Sequence, residues 1–204
     1  NLPKVYLLTG HGESSLSDSF TSAVKQQNVE TAELSLLTLE SVPADADCIL
    51  INAPQSDISL DEQSKLLEYL GNGGNLFLIT DPPKNGELTN LEALMADYGV
   101  TTVDGIVVES DQSHYVWGTP YFLLPDIASH AITMPLTDGG YRVLLPIAQG
   151  LMVAEELRDT LSVTKLLTTS ASAFAKAAGY DLTTYEKEEG DVNGPFALAV
   201  AISD

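Results

Sequence analysis

Apolar and polar positions alternate with a rhythm that changes along the chain. Val5-Tyr6-Leu7-Leu8 is a continuous apolar run closed by Thr9-Gly10-His11-Gly12. That pattern predicts a buried strand followed by a turn. From Ser14 to Gln27 the apolar residues Leu16, Phe20, Ala23 and Val24 recur at helical spacing, with Ser14 or Ser15 placed to cap the helix. Thr31 to Leu39 begins with the alternation of a second strand, and Cys48-Ile49-Leu50-Ile51 reads as a central parallel strand. Ser59-Leu60-Asp61-Glu62 opens a helix with a capping serine and acids where the helix dipole favours them. That helix continues through Leu66, Leu67 and Leu70 to the Gly71-Asn72-Gly73-Gly74 stop. Leu76-Phe77-Leu78-Ile79 is the next strand, Leu88 to Tyr98 the next helix, and Val100 to Val108 one or two strands more. The order β-α-β-β-α-β-α-β predicts an α/β fold with a mostly parallel, doubly wound sheet, because parallel neighbours require crossover helices.

The second half has a weaker rhythm. Ser110 to Met134 carries Tyr115, Trp117, Tyr121 and Phe122, interrupted by Gly118, Pro120 and Pro125, and reads as a long ordered loop. Strands are predicted over 141–145, 163–168 and 196–202, with a polar connection over 181–194. The expected organisation is a single α/β domain over 1–204, with about 106–160 as a loop-rich insertion.

Composition narrows the function. Nine basic residues face 29 acidic ones, a formal net charge of −20. Nucleic-acid binding depends on Lys and Arg replacing counterions along the phosphates, so nucleic acid is excluded as a partner, and so is an anionic membrane surface. The acidity is spread along the chain, as on a solvated surface; an acidic face for a basic partner is the alternative. With 44% hydrophobic residues, 204 residues can bury a core without disulfides, and Cys48 is the only cysteine. No stretch reaches the roughly 18 apolar residues of a membrane span. The chain opens on a strand without a basic and apolar leader, and it ends just after an apolar run. Such edges are expected of a domain belonging to a longer protein, any membrane anchor of which would lie outside this sequence.

Catalytic chemistry is sparse. No Gly-x-Ser-x-Gly and no glycine-rich phosphate motif occurs. Cys48 opens its strand instead of ending it, so it reads as a core thiol. The same strand ends at Asn52-Ala53-Pro54, the place of a nucleophile elbow, without a Ser or Cys. The three histidines, His11, His114 and His130, have no metal-ligand spacing, so no metal or cofactor is expected. The best site candidate is Thr9-Gly10-His11-Gly12-Glu13, beyond the carboxyl end of a strand, where ligands bind in open α/β sheets. His11, Gly12 and Glu13 offer a polar ligand site; the alternative is a capped turn in which His11 bonds the backbone. Asn52 and Asp81, at the ends of two neighbouring strands, belong to the same candidate ligand site, and Trp117 is added from the aromatic segment. That segment reads either as an anchored loop or as a carbohydrate or protein contact surface.

Several pieces recur together in a known family. They are Lys4 to Glu13, Val42-Pro43-Ala44-Asp45-Ala46-Asp47, Asn52-Ala53-Pro54-Gln55-Ser56-Asp57, Tyr69 to Leu76, and Thr80-Asp81-Pro82. Later come Tyr121-Phe122 with Pro125-Asp126, His130-Ala131-Ile132-Thr133, Leu166 to Ser170, and Gly194-Pro195-Phe196. In this order they resemble the extracytoplasmic domain of gliding-motility-type ABC-transporter auxiliary proteins, some of which are described as substrate-binding components. Ser170-Ala171-Ser172 departs from the pattern, where a proline after the serine is expected. The resemblance implies a membrane-anchored domain on the extracytoplasmic face of a bacterial cell, working beside an ABC permease and ATPase. It also implies a fold similar to glutamine-amidotransferase-like and flavodoxin-like domains without the catalytic cysteine. The expected function is a non-catalytic accessory domain of an ABC transport system that binds a partner protein or ligand. The alternatives are a binding module for a polar small molecule or sugar, and a metal- or carboxylate-dependent hydrolase.

Overall fold

The computed structural model describes residues 2–84 and 86–204. The chain divides into two compact units, one ending at Leu94 and the other spanning Met95–Asp204.

The first unit contains β1 (Lys4–Leu8), α1 (Asp18–Gln26), β2 (Glu30–Leu34), β3 (Cys48–Asn52), α2 (Leu60–Gly71) and β4 (Leu76–Ile79). It closes with α3 (Thr89–Asp97), in whose last turns the division falls. Its sheet has the order β2-β1-β3-β4, and every pair is parallel. Side chains alternate across a strand, so Tyr6, Leu8, Leu34, Ile49 and Ile51 share one face. They pack there with Leu66, Leu91 and Leu94 from the helices. Each such side chain, fully buried, contributes about 1.5–3 kcal/mol. Ser59 and Glu62 form the capping box that starts α2. Asp57 tethers the start of α3 by accepting from the Asn90 and Leu91 N–H groups at 2.7 and 3.0 Å. By contrast α1 buries no residue. It begins at its Ser17 cap, later than the apolar spacing suggests. The reason is that Ser14 is held outside the helix: its N–H donates to the Asn52 carbonyl at 2.8 Å, and Asn52 Nδ2 donates to its carbonyl at 2.7 Å.

The second unit opens with β5 (Val100–Val103), β6 (Ile106–Val108), β7 (Tyr115–Val116), β8 (Thr119–Leu123) and β9 (Asp126–Ile127). The short helix α4 (Met134–Asp138) follows, then β10 (Leu145–Pro146), β11 (Gly150–Val153) and β12 (Ser162–Thr168). The unit ends with β13 (Phe174–Lys176), β14 (Val192–Asn193) and β15 (Ala197–Ser203). Three sheets form, of orders β5-β11-β15-β12-β9, β10-β8-β7 and β14-β13-β6. Their pairs are antiparallel. Val107, Leu123, Ala175 and Phe196 lie at the centre of its core.

The expected mostly parallel, doubly wound sheet of glutamine-amidotransferase-like or flavodoxin-like type is therefore corrected. Parallel pairing ends with β4, and the rest of the chain builds small antiparallel sheets. A parallel neighbour needs a crossover of a dozen or more residues, usually a helix. After α3 the one α-helix among the described residues is the five-residue α4. Residues 110–134, read as a loop, contain β7, β8 and β9, and the strand expected over 141–145 is reduced to β10. Three strands, β11, β13 and β14, lie where none was expected.

Candidate functional site

Because β1, β3 and β4 run parallel, their carboxyl ends lie on one edge of the first unit's sheet. The turns that follow are laced together by hydrogen bonds. The His11 carbonyl accepts from the Gln55 and Ser56 N–H groups at 2.8 and 2.9 Å, and the Ala53 N–H donates to the Ile79 carbonyl at 2.9 Å. Gly12 has a φ of 73°, and a Cβ there would lie 3.3 Å from Gln55 Cβ, so this turn needs its glycine. The structure thus brings His11, Gly12, Glu13 and Asn52 to one edge, where His11 and Glu13 bond each other and Asn52 bonds Ser14. Asp81 follows β4 on the same edge. It is half-buried, and its carboxyl is pushed up by that burial, with Lys84 acting in the opposite sense.

At the centre lies a buried imidazole between two carboxylates. His11 is 4% exposed, with Nδ1 at 3.0 Å from Glu13 Oε1 and Nε2 at 3.1 Å from Glu62 Oε2. The His11 N–H also donates to Glu13 Oε2 at 2.9 Å. With both nitrogens facing carboxylate oxygens, the ring is best satisfied as an imidazolium donating twice. The Glu13 carboxylate accordingly raises the His11 pKa, burial opposes it, and Glu62 raises it further. Burial alone would push both glutamates up, yet both are held low. For Glu13 the His11 ring and backbone donors prevail. For Glu62 the Ser59 N–H and hydroxyl and the His11 ring prevail. Glu62 is the member that sequence reasoning placed only in a helix cap. Its single signal was the Ser59-x-x-Glu62 spacing, which says nothing of His11. The cluster braces the first turn against the start of α2, and both ring nitrogens are spent in doing so. Among the described residues, no group of three or more His, Cys, Asp or Glu side chains is arranged to hold a metal ion.

The end of β3 carries a second informative geometry. Ala53 has a φ of 49° and is buried. A nucleophile elbow holds its Ser or Cys on such a strained turn at the end of a strand. Here the position presents a methyl group. Cys48, at the other end of β3, donates weakly to the Ile49 carbonyl at 3.4 Å, and burial pushes its thiol up, away from the reactive thiolate.

Trp117 belongs to the second unit. It sits with Gly118 in the two-residue turn between β7 and β8, where Val116 pairs with Thr119. Their φ values of 56° and 66° are those of a type I′ hairpin turn, which favours Asn and Gly. A bulky residue with positive φ is an outlier. The indole is 75% exposed and packs edge-to-face on Phe122, centroids 5.6 Å apart. Phe122 in turn meets Tyr121 at 5.1 Å, and Tyr121 meets Tyr185 at 5.6 Å.

Comparison with known proteins adds a family and a likeness of fold. The sequence model of the family described as ABC-type uncharacterized transport system matches residues 2–204, and the chain belongs to that family, an auxiliary component of an ABC-type transport system. No curated protein matches the chain. Among solved structures it is similar to the mmIFT52 N-terminal domain, with 13% identity over 83% of this chain and 74% of that one, at a TM-score of 0.62. A thua-like protein from Bacteroides uniformis shares 13% identity over 98% of this chain and 77% of that one, at a TM-score of 0.49. PurLQS from Thermotoga maritima shares 8% identity over 89% of this chain and 79% of that one, at a TM-score of 0.37. At such identity the first is a likeness of fold alone, and the other two are too distant to bear on the chain.

Proposed function

We propose that this member of the ABC-type transport-system family is a non-catalytic domain that acts outside the cytoplasmic membrane and docks a subunit of its transporter. The observation that carries the docking role is Trp117, 75% exposed at the tip of a strained hairpin and supported from behind by Phe122 and Tyr121. Tryptophan is the residue type most enriched among those that dominate binding energy, and a supported ring loses little freedom on docking. Backbone strain held at an exposed position is a mark of functional sites. Ala53 supports the non-catalytic part of the reading, since the elbow geometry carries no nucleophile. The extracytoplasmic placement and the permease and ATPase as partners rest on the resemblance to gliding-motility-type auxiliary proteins.

The His11 turn is better read as a brace than as a ligand site, because both ring nitrogens are engaged by the Glu13 and Glu62 carboxylates. The test is capture of the tagged protein from detergent-solubilised native membranes, with the recovered proteins identified by mass spectrometry. The expected result is recovery of ABC permease or ATPase subunits with the wild type and about tenfold less with Trp117→Ala, a difference of about 1.4 kcal/mol. Capture that yields no ABC subunit, or yields the same amount with both proteins, overturns the reading.

A further inference from the structure

The second unit holds a cleft of about 480 Å³, within the roughly 300–1,000 Å³ usual for small-molecule sites. It lies where the two-residue β9 pairs with the end of β12. Asp126 and Thr168 face each other across that pair and line the cleft, together with His114, Lys165, Ser170 and Phe196.

Most of the polar groups around it are already engaged. Glu109 is buried and accepts from the Ser170 N–H and hydroxyl, both at 2.7 Å. Ser170 Oγ also accepts from the Ser172 N–H at 3.1 Å. Buried Thr169 accepts from the Phe196 N–H at 2.9 Å and donates to the Ser170 carbonyl at 3.0 Å. The His114 ring is clamped, with Nδ1 at 3.2 Å from Asp111 Oδ2 and 3.0 Å from Ser113 Oγ, and Nε2 at 3.2 Å from Asp126 Oδ2. What remains uncommitted is the Lys165 ammonium, the Thr168 hydroxyl and the second oxygen of Asp126. Lys165, like Lys25, makes no side-chain hydrogen bond or ion pair among the described residues, in a chain with 29 acidic side chains.

The β-ladder explains how Lys165 reaches the cleft. In a regular strand Lys165 and Thr168 would point to opposite faces. The register of β12 against β15 shifts between Lys165 and Leu167, and Leu166 and Leu167 are both buried. Such a bulge re-aims side chains and is common beside functional sites. Here it sets a free cation and an anchored carboxylate in one cleft.

We infer that this cleft binds a small zwitterion, an α-amino acid or short peptide, with the ligand carboxylate on Lys165 and its ammonium on Asp126. A ligand of net negative charge would meet Asp126, Asp111 and Glu109 as well as the field of a chain at −20. A ligand of net positive charge would meet Lys165. A zwitterion satisfies both ends and leaves the Thr168 hydroxyl for a further hydrogen bond. The inference is independent of the docking role of Trp117, and the two fail separately.

The test uses the imidazole NMR signals of the three histidines, of which His114 lines the cleft while His11 and His130 serve as internal controls. The protein is titrated with each of the common L-amino acids and with glycyl-glycine, and with propionate and ethylammonium as singly charged controls. The expected result is a saturable shift of the His114 signal alone with at least one zwitterion, weakened about tenfold in Lys165→Met. Lys165 is exposed and unpartnered, so this variant folds, and its unfolding temperature confirms that. No saturable His114 shift with any zwitterion overturns the inference. So does a shift retained in Lys165→Met, or one reproduced by propionate or ethylammonium.

Discussion

His11 Nε2 and Glu62 Oε2 stand 3.1 Å apart, both side chains buried, across a separation of 51 residues. Glu13 takes the other ring nitrogen, so the pair is the long-range half of a buried carboxylate-imidazolium-carboxylate cluster. Removing the cation from such a cluster leaves two carboxylates without a counter-charge, and breaking a buried pair costs about 3–5 kcal/mol. His11→Gln, which retains one donor, is expected to lose about 3 kcal/mol in urea unfolding at neutral pH. A loss below about 0.5 kcal/mol, the range of ordinary surface changes, would mean the cluster does not brace the unit.

The same cluster gives a pH dependence with two limbs. The folded His11 pKa is raised above its ordinary 6.5, so its contribution is fully present below 6.5 and is lost as pH rises through the raised value. Glu13 and Glu62 are held below their ordinary 4.5, so theirs is present above 4.5 and is lost as pH falls through the lowered values. Stability measured by urea unfolding across pH is expected to show an alkaline limb in the wild type that disappears in His11→Gln. An alkaline limb of equal size in the variant would assign it to other groups.

Lys176 anchors the second unit. It is fully buried, and its ammonium donates to the Glu186 carbonyl at 2.8 Å and the Glu188 carboxylate at 2.6 Å, with Asp191 Oδ2 at 3.0 Å. Burial lowers its pKa, but the Glu188 and Asp191 carboxylates outweigh that and hold it raised. Lys176→Met strands the buried Asp191 carboxylate and is expected to cost about 3 kcal/mol. Amide hydrogen exchange should show residues 182–191 losing protection first.

Two glycines separate backbone strain from close approach. Gly105 and Gly190 both have a φ of 94°. A Cβ at Gly105 would lie 2.0 Å from the Lys176 carbonyl oxygen, whereas at Gly190 nothing lies within 4 Å. Gly190→Ala is expected to lose only the left-handed cost of about 1–2 kcal/mol. Gly105→Ala adds a backbone clash and should unfold at a clearly lower temperature than Gly190→Ala. Equal midpoints would refute the close approach.

Trp117→Asn sets stability against docking. Asparagine tolerates the left-handed turn, a relief of about 1 kcal/mol, while the lost edge-to-face contact with Phe122 is worth about 0.5–1.5 kcal/mol. Unfolding stability is therefore expected to stay within about 1 kcal/mol of wild type, while recovery of transporter subunits falls as for Trp117→Ala. A large loss of stability would make Trp117 a structural residue.

In the first unit, most elements were legible because their signals are local. Three apolar runs and the alternation from Thr31 gave the parallel strands, the Ser59-x-x-Glu62 spacing gave the start of α2, and the glycines after Leu70 gave its end. The empty elbow at Ala53 could also be named from residue types alone. In the second unit the strands are short: β7, β9, β10 and β14 have two residues each. Two residues cannot display an alternation, and the five-residue β8 carries Pro120 and no alternation of its own, so the aromatic segment looked like a loop.

The sequence by itself determined the acidic surface, the absence of an elbow nucleophile and the order of strands and helices up to α3. Those follow from composition and from periodicities spanning a few residues. Only the tertiary structure decided that pairing turns antiparallel after β4, that His11 finds Glu62, that a bulge turns Lys165 into the same cleft as Asp126, and that Trp117 stays exposed. Each depends on contacts between residues far apart in the chain, or on a register shift of one residue. Long-range contacts and register are set by how whole strands satisfy their backbone hydrogen bonds and bury their faces together, and no local pattern encodes that.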